Sequence, residues 1–309
     1  MTLFTRPPLC LPLPCLLLLA GCAAAPAGQE LAGPPLQGPA YTVYAAGDIA
    51  DCRQRGWAYT GAAQTADLIA GELADKPRAA VLSLGDHTYP AGLAAEFRDC
   101  YAPTWGRFKE RTFPTPGNHE YYGSREASGY AAYFGRPDYY SFELGAWHVI
   151  SLNSHLPAPR LAEQLAWLQD DLARHPRPCT LAYWHAPLYS SGGHIAPKTM
   201  QPAWQALYDA GAELVLSGHD HDYERFAPQD AQGKVDTQRG VRQFVVGTGG
   251  AFLTPFFYLM PHSEMRDNSS HGVLKLRLHD DGYSWQYLGV PDDGQVKRPA
   301  PDSGMARCH

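Results

Sequence analysis

Positive charge is in short supply. The 309-residue chain has 25 Lys and Arg against 31 Asp and Glu, a formal net charge of −6. A protein built to hold polymeric nucleic acid or an anionic membrane surface needs a basic footprint, and nothing here suggests one. Long apolar runs are lacking as well. The stretch 9–20 is broken by proline and too short to make a good membrane span. None of the seven Cys stands at a CxxC or CxxH spacing, which argues against a zinc-thiolate site. Charged residues make up only 18% of the chain and hydrophobic ones 45%, enough for a sizeable core in one large domain or two small ones. Against these shortages stand 30 Gly and 27 Pro, which predict many loops, and 13 His, which invite a search for metal or phosphate chemistry.

The N-terminus reads as a targeting segment, with Arg6 ahead of the apolar run and Leu19-Ala20-Gly21-Cys22 at its end. This resembles the lipobox of bacterial lipoproteins. The resemblance implies a signal peptide over 1–21, lipid on Cys22, and a flexible tether over 22–40. The protein would then be lipid-anchored outside a bacterial membrane, or periplasmic. Cleavage after 23–25, releasing a soluble protein, is the alternative; both imply export. In an oxidising compartment Cys52, Cys100, Cys179 and Cys308 can form two disulfides, in any of three pairings. The favoured pairs are Cys52–Cys100, which follow the first two strands, and Cys179–Cys308, which would pin the C-terminal tail.

Hydrophobic patterning predicts strands over 41–46, 79–84, 179–183, 213–216, 243–246, 273–278 and 283–288. It also predicts a hairpin of 139–144 and 147–152 around Gly145-Ala146. Helices are expected over 60–75, over 93–109 in two pieces broken at Pro103, over 159–174, and over 201–210 with Gly211 as the stop. Leu161, Leu165, Leu168 and Leu172 make one apolar stripe along the third of these. Pro114 and Pro116 make 112–116 a short or edge strand. Strands alternate with helices early and run together late. A single α/β domain over 41–309, layered from helix and sheet, is the economical reading.

Five of the strand-like segments end in a metal-ligand type of side chain: Asp48, Asp86, Asn118, His185 and His219. Sites in α/β folds form where strands end and loops begin. Singly, each residue has a plain structural explanation as a turn, a cap or a satisfied polar group. In series they read Gly47-Asp48, Gly85-Asp86-x-x-Tyr89, Gly117-Asn118-His119-Glu120, a strand-end His185 and Gly218-His219-x-His221. Carboxylate, imidazole, phenol and amide oxygen suit Fe, Mn or Zn. Asp86, at the mouth of a buried strand, is the natural bridge between two cations.

This series resembles the calcineurin-like metallophosphoesterase superfamily, and within it the purple acid phosphatases, which carry the Gly-Asp-x-x-Tyr run. The first motif departs from the family pattern, with Ala50 where a Gly is usual. The resemblance implies a four-layer α/β/β/α sandwich of two mixed sheets flanked by helices. It implies Fe(III) held by Asp48, Asp86, Tyr89 and His221, and a divalent Fe, Zn or Mn held by Asp86, Asn118, His185 and His219. His119 and His194 become the catalytic histidines, and Glu120 orients a neighbouring His from behind. The implied activity is an acid phosphatase: a metal-bound hydroxide attacks a phosphate monoester and a histidine protonates the leaving alkoxide. The expected partners are a small phosphate ester and, through Cys22, a membrane; nucleic acid is not expected. A phosphodiesterase acting on cyclic nucleotides or glycerophosphodiesters is the close alternative, and an inactive surface-binding lipoprotein the distant one. His87, His148 and His155 receive no chemical role.

Overall fold

The computed structural model describes residues 1–2, 34–54, 60–194, 197–290 and 302–309. The expected signal peptide (apart from residues 1–2), the lipidated Cys22 and most of the tether lie outside them. Fifteen strands are described: β1 Tyr41–Ala46, β2 Ala50–Asp51, β3 Ala79–Leu84, β4 Thr88–Tyr89, β5 Thr112–Thr115, β6 Tyr140–Leu144, β7 Trp147–Ser151, β8 Cys179–Tyr183, β9 Leu214–Ser217, β10 Tyr223–Phe226, β11 Arg242–Val246, β12 Ser263–Asp267, β13 His271–His279, β14 Gly282–Val290 and β15 Ser303–Arg307. The α-helices are α1 Gly61–Leu73, α2 Ala94–Glu96, α3 His119–Tyr122, α4 Ser128–Phe134, α5 Ala158–Arg174 and α6 Gln201–Asp209. Among the described residues no helix is long and apolar enough to cross a membrane.

Two mixed sheets carry the fold. One has the order β15-β14-β13-β1-β3-β5 and the other β12-β10-β11-β9-β8-β7-β6. In the first, β1, β3 and β5 run parallel, and in the second β7, β8, β9 and β11 do, so the C-terminal ends of these strands meet at one edge. Ala46 is in register with Ser83, and Leu84 with Thr115, so the loops after β1, β3 and β5 emerge side by side. The sheets are joined at that edge, where Gly47 N–H donates to the Val246 carbonyl at 2.9 Å. The main core takes Val43, Val81, Trp147, Leu216, Leu274 and Trp285 from both sheets. A second core lies under α5 and α6, around Ile150, Leu168, Trp184, Trp204 and Val215. Alternation along β7 explains the division: Trp147 and Val149 face one core, Ile150 the other.

Several local expectations change. The 93–109 segment does break after Tyr101, but into a single turn of α2, a π turn over Phe97–Tyr101 and a 3₁₀ segment over Trp105–Arg111. β5, with Pro114 inside it, is an edge strand whose missing N–H costs no ladder bond. On α5 the buried positions are Gln164, Leu168 and Asp171; the leucine stripe is only half-buried apart from Leu168. Polar partners explain the rotation. Gln164 exchanges hydrogen bonds with the backbone of Asn153, and Asp171 meets Ser141 and two histidines. The end of the expected tether docks on the domain, where Gln37 N–H donates to Asp281 and Arg307 reaches the Pro34 carbonyl. Cys52 is bonded to Cys100 and Cys179 to Cys308, each pair with Cα atoms 5.6 Å apart. The second bond ties the tail strand β15 to β8.

Candidate metal centre

Glycine precedes four of the polar residues at the sheet edge, and the geometry explains two of those glycines. Gly85 sits at φ +85°, and a Cβ there would meet His185 Nδ1 at 2.6 Å. A Cβ on Gly117 would overlap the Asp86 carboxylate. Asp48, Asp86 and His219 themselves adopt positive φ, at 60°, 49° and 73°. Left-handed backbone is unfavourable for residues with a Cβ and persists where the surroundings over-determine it. Three such residues in one cluster point to a site whose side-chain directions matter more than backbone comfort.

The loops bring Asp48, Asp86, Tyr89, Asn118, His185, His219 and His221 together. Asp86 Oδ2 is the centre: it lies 3.2 Å from the Tyr89 hydroxyl and 3.2 Å from His185 Nε2. On the first side, the Tyr89 hydroxyl is 2.8 Å from Asp48 Oδ1 and 3.0 Å from His221 Nε2. On the second, His185 Nε2 is 3.1 Å from Asn118 Oδ1 and 3.2 Å from His219 Nδ1. Backbone carbonyls hold the far nitrogens of the imidazoles. His185 Nδ1 faces Leu84 O and His221 Nδ1 faces Phe252 O, both at 2.7 Å, so each Nε2 points inward.

The cluster's electrostatics call for cations. Burial alone would push the His185 imidazole down, yet Asp86 and Asp48 lift it to about 10. Burial works against Asp86 as well, but His185 and His119 hold its carboxyl well below the usual range. The Tyr89 phenol is driven far up by burial and by the Asp48 and Asp86 charges. His219 falls to about 4 through burial and the neighbouring His185 charge. Two buried carboxylates and a phenol thus depend on shared protons where a polyvalent cation would satisfy every donor at once. The donor set fits two ions: oxygen-rich with one imidazole on the Asp48 side, nitrogen-rich on the Asn118 side, with Asp86 common to both.

Four neighbours set up this arrangement. Glu120 is buried, and its carboxylate accepts from the backbone N–H groups of Asp86, His87 and Gly117 at 2.9, 2.8 and 2.6 Å. Its main work is therefore on the loops themselves, with His87 Nδ1 only a 3.4 Å neighbour. His119 lies tilted against the Tyr89 ring, 4.2 Å between centroids; Pro90 O holds its Nδ1 at 2.7 Å, and its Nε2 lies 3.8 Å from Asp86. His194 lies beside the second donor set, with its ring 4.5 Å from that of His219. Asp220 holds it twice, accepting from its backbone N–H at 2.9 Å and its Nδ1 at 3.0 Å. That bond raises the His194 imidazole, with burial opposing.

In the motif Asp220 is only the residue between two histidines, and its hold on His194 emerges in three dimensions. His155, which receives no chemical role from the sequence, has its ring 5.5 Å from His185 and 6.2 Å from His219. Burial and the His185 charge push His155 down to about 3. Asp220 stands at the open position of the His219-x-His221 motif, and nothing local marks His155.

A family model described as calcineurin-like phosphoesterase matches residues 41–223. The chain belongs to the calcineurin-like phosphoesterase family. Within that family it is similar to purple acid phosphatase 21 of Arabidopsis thaliana, at 29% identity over 229 residues, covering 67% of this chain and 51% of the relative. A purple acid phosphatase from yellow lupin seeds superposes with a TM-score of 0.66 at 22% identity, over 87% of this chain and 54% of that one. GAP50, described as the anchor in the inner membrane complex of Plasmodium, superposes at 0.60 with 14% identity, over 85% and 88% of the two chains. These two likenesses are of fold. The chain spans about half or less of the curated relatives it matches.

Proposed function

We propose that this phosphoesterase-family chain is a two-metal hydrolase of phosphate monoesters, of the acid phosphatase type. The observation that carries the reading is the equal approach of Asp86 Oδ2, 3.2 Å each way, to the two donor sets. Asp48, Tyr89 and His221 would share one ion with Asp86; Asn118, His185 and His219 would share the other. The phenol and carboxylates of the first set favour Fe(III), and the second set suits divalent Fe, Zn or Mn. Bound there, the ions supply an acidified water and neutralise charge on the phosphoryl oxygens.

The chain's own residues supply orientation and a proton. His119 and His194 border the cluster beside Tyr89 and His219, each with Nδ1 occupied by a hydrogen bond, which leaves Nε2 to face an ester oxygen. The Asp220 hydrogen bond raises the His194 imidazole, favouring the protonated form that would deliver a proton to the departing alkoxide. Exposed Tyr122 and Phe252, with rings 4.5 Å from His119 and 4.9 Å from His221, give the mouth an apolar rim suited to an uncharged ester group. Export, with lipid on Cys22, is read from the N-terminal sequence, and the two disulfides suit an oxidising compartment.

The test is turnover of p-nitrophenyl phosphate and its bis-ester by the full chain, before chelation, after it, and after reloading with iron and zinc. Metal-dependent turnover favouring the monoester at acid pH is expected. Preference for the bis-ester would move the chain to the diesterases, and no turnover after reloading would leave the binding-protein reading.

A further inference from the structure

Asp171 takes no part in the site described above. Its carboxylate is almost wholly buried on α5, between two imidazoles from other places in the chain. His148 on β7 brings Nε2 to 2.8 Å from Asp171 Oδ2. His175, one residue past the end of α5, brings Nδ1 to 3.0 Å from Asp171 Oδ1 and equally close to the Asp171 backbone carbonyl, a contact that metal binding would replace. Ser141 on β6 adds its hydroxyl at 2.9 Å from Asp171 Oδ1. The two rings are near-parallel, with centroids 5.2 Å apart. One ligand-type atom from each of His148, Asp171 and His175 lies within 4.8 Å of the others.

His148 is a costly choice for its position. It is buried on the face of β7 that turns towards α5, and its Nδ1 has no hydrogen-bond partner. An aliphatic side chain would pack there without an orphaned nitrogen, as Ile150 does two residues on. The reason for an imidazole therefore lies on its Nε2 side, where Asp171 and His175 are. The surrounding charges leave Asp171 to the imidazoles. Glu143, opposite His148 on β6, is engaged by Arg177, and Asp170 pairs with Arg174 on the outer side of α5. Among the described residues the nitrogen atoms that approach the Asp171 carboxylate belong to these two histidines. His175 is 42% exposed in its side chain and lines a surface cleft between α5 and α6, which gives a metal an entry path and a water position.

We propose that His148, Asp171 and His175 form a zinc site that clamps the C-terminal end of α5 onto β7. Two imidazoles, one carboxylate and a water make a four-coordinate donor set for zinc. Binding displaces the protons now shared between the carboxylate and the rings. The site lies apart from the catalytic edge: Asn153, which follows β7 there, is five residues on from His148, roughly 16 Å of extended chain. It does not rest on the hydrolase reading.

The experiment is zinc per chain, measured by mass spectrometry on the full-length protein after equilibration with zinc and desalting. Wild type is compared with His175→Ala, at the exposed member, and Asp171→Asn, which keeps the side-chain shape. One zinc fewer in each variant is expected, with phosphatase turnover unchanged and a smaller rise of Tm on adding zinc. A chain that shows no turnover but still loses one zinc in both variants supports this site and sinks the hydrolase reading. Equal zinc in all three proteins overturns the proposal and reduces the cluster to a hydrogen-bonded staple.

Discussion

Replacing Asp220 with Asn separates a proton-donating His194 from a merely structural one. Asp220 accepts two hydrogen bonds from His194 and one from the Ser190 hydroxyl. The amide keeps an oxygen for the backbone N–H but loses the charge that lifts the imidazole. Burial then acts unopposed by its main partner and the His194 pKa falls. For each pKa unit lost, the protonated fraction above the pKa drops about tenfold. A general acid contributes roughly 10²–10⁴ in rate, so a loss of about ten- to a hundredfold is expected at neutral pH, shrinking as pH is lowered. The assay is the pH–rate profile on two monoesters. An alkyl phosphate, whose alkoxide needs a proton to leave, should show the loss; p-nitrophenyl phosphate, whose phenolate leaves readily, should show much less. Metal content is measured in parallel. Equal losses on both substrates at every pH, with full metal, would refute the proton-delivery role and leave Asp220 as loop scaffolding.

Other perturbations have equally definite outcomes. Glu120→Gln weakens three buried backbone anchors; at roughly 1–3 kcal/mol for a buried unsatisfied group, it should lower urea stability by a comparable amount and loosen the metals of the Asp86 cluster. His185 offers a pH test on metal-free protein. Its folded pKa, about 10, is raised above the ordinary 6.5, so its contribution is fully present below pH 6.5 and is lost as pH rises through 10. Unfolding midpoints of the chelated protein should fall across that window, and zinc added at pH 8 should release protons; a flat profile contradicts the raised value. Replacing Cys179 and Cys308 with Ser opens a loop of 129 residues and should cost roughly 2–5 kcal/mol in urea unfolding, with turnover per folded molecule retained. A change below a few tenths of a kcal/mol would show that packing of β15 holds the tail without the bond.

The sheet edge was the most legible part of the chain because chain direction and turn chemistry coincide there. The parallel strands β1, β3 and β5, and β7, β8, β9 and β11, must deliver their C-terminal loops to one side, and a turn tight enough to aim Asp86 or His219 back at the sheet crowds out any Cβ beside it. A Gly followed by a donor at successive strand ends therefore carries three-dimensional information. The buried face of α5 was not legible. The leucines fixed a plausible stripe, but Gln164 and Asp171 are buried through partners remote in sequence, at Asn153, Ser141 and His148. His155 was missed for the same reason: only tertiary structure sets it beside His185 and His219. β12 and β15, with the sequences SEMRD and SGMAR, lack apolar alternation. They are the outer strands of their sheets and are held by backbone pairing to one neighbour each, so their side chains leave little trace.

The central claim is that Asp86 is shared by two ions. The direct measurement is anomalous diffraction from crystals of the metal-loaded full chain, collected at the iron and zinc edges. Two peaks at the sheet edge are predicted, one between Asp48, Tyr89 and His221 and one between Asn118, His185 and His219, both reached by the Asp86 carboxylate. A single peak, or two that do not share Asp86, would contradict the account.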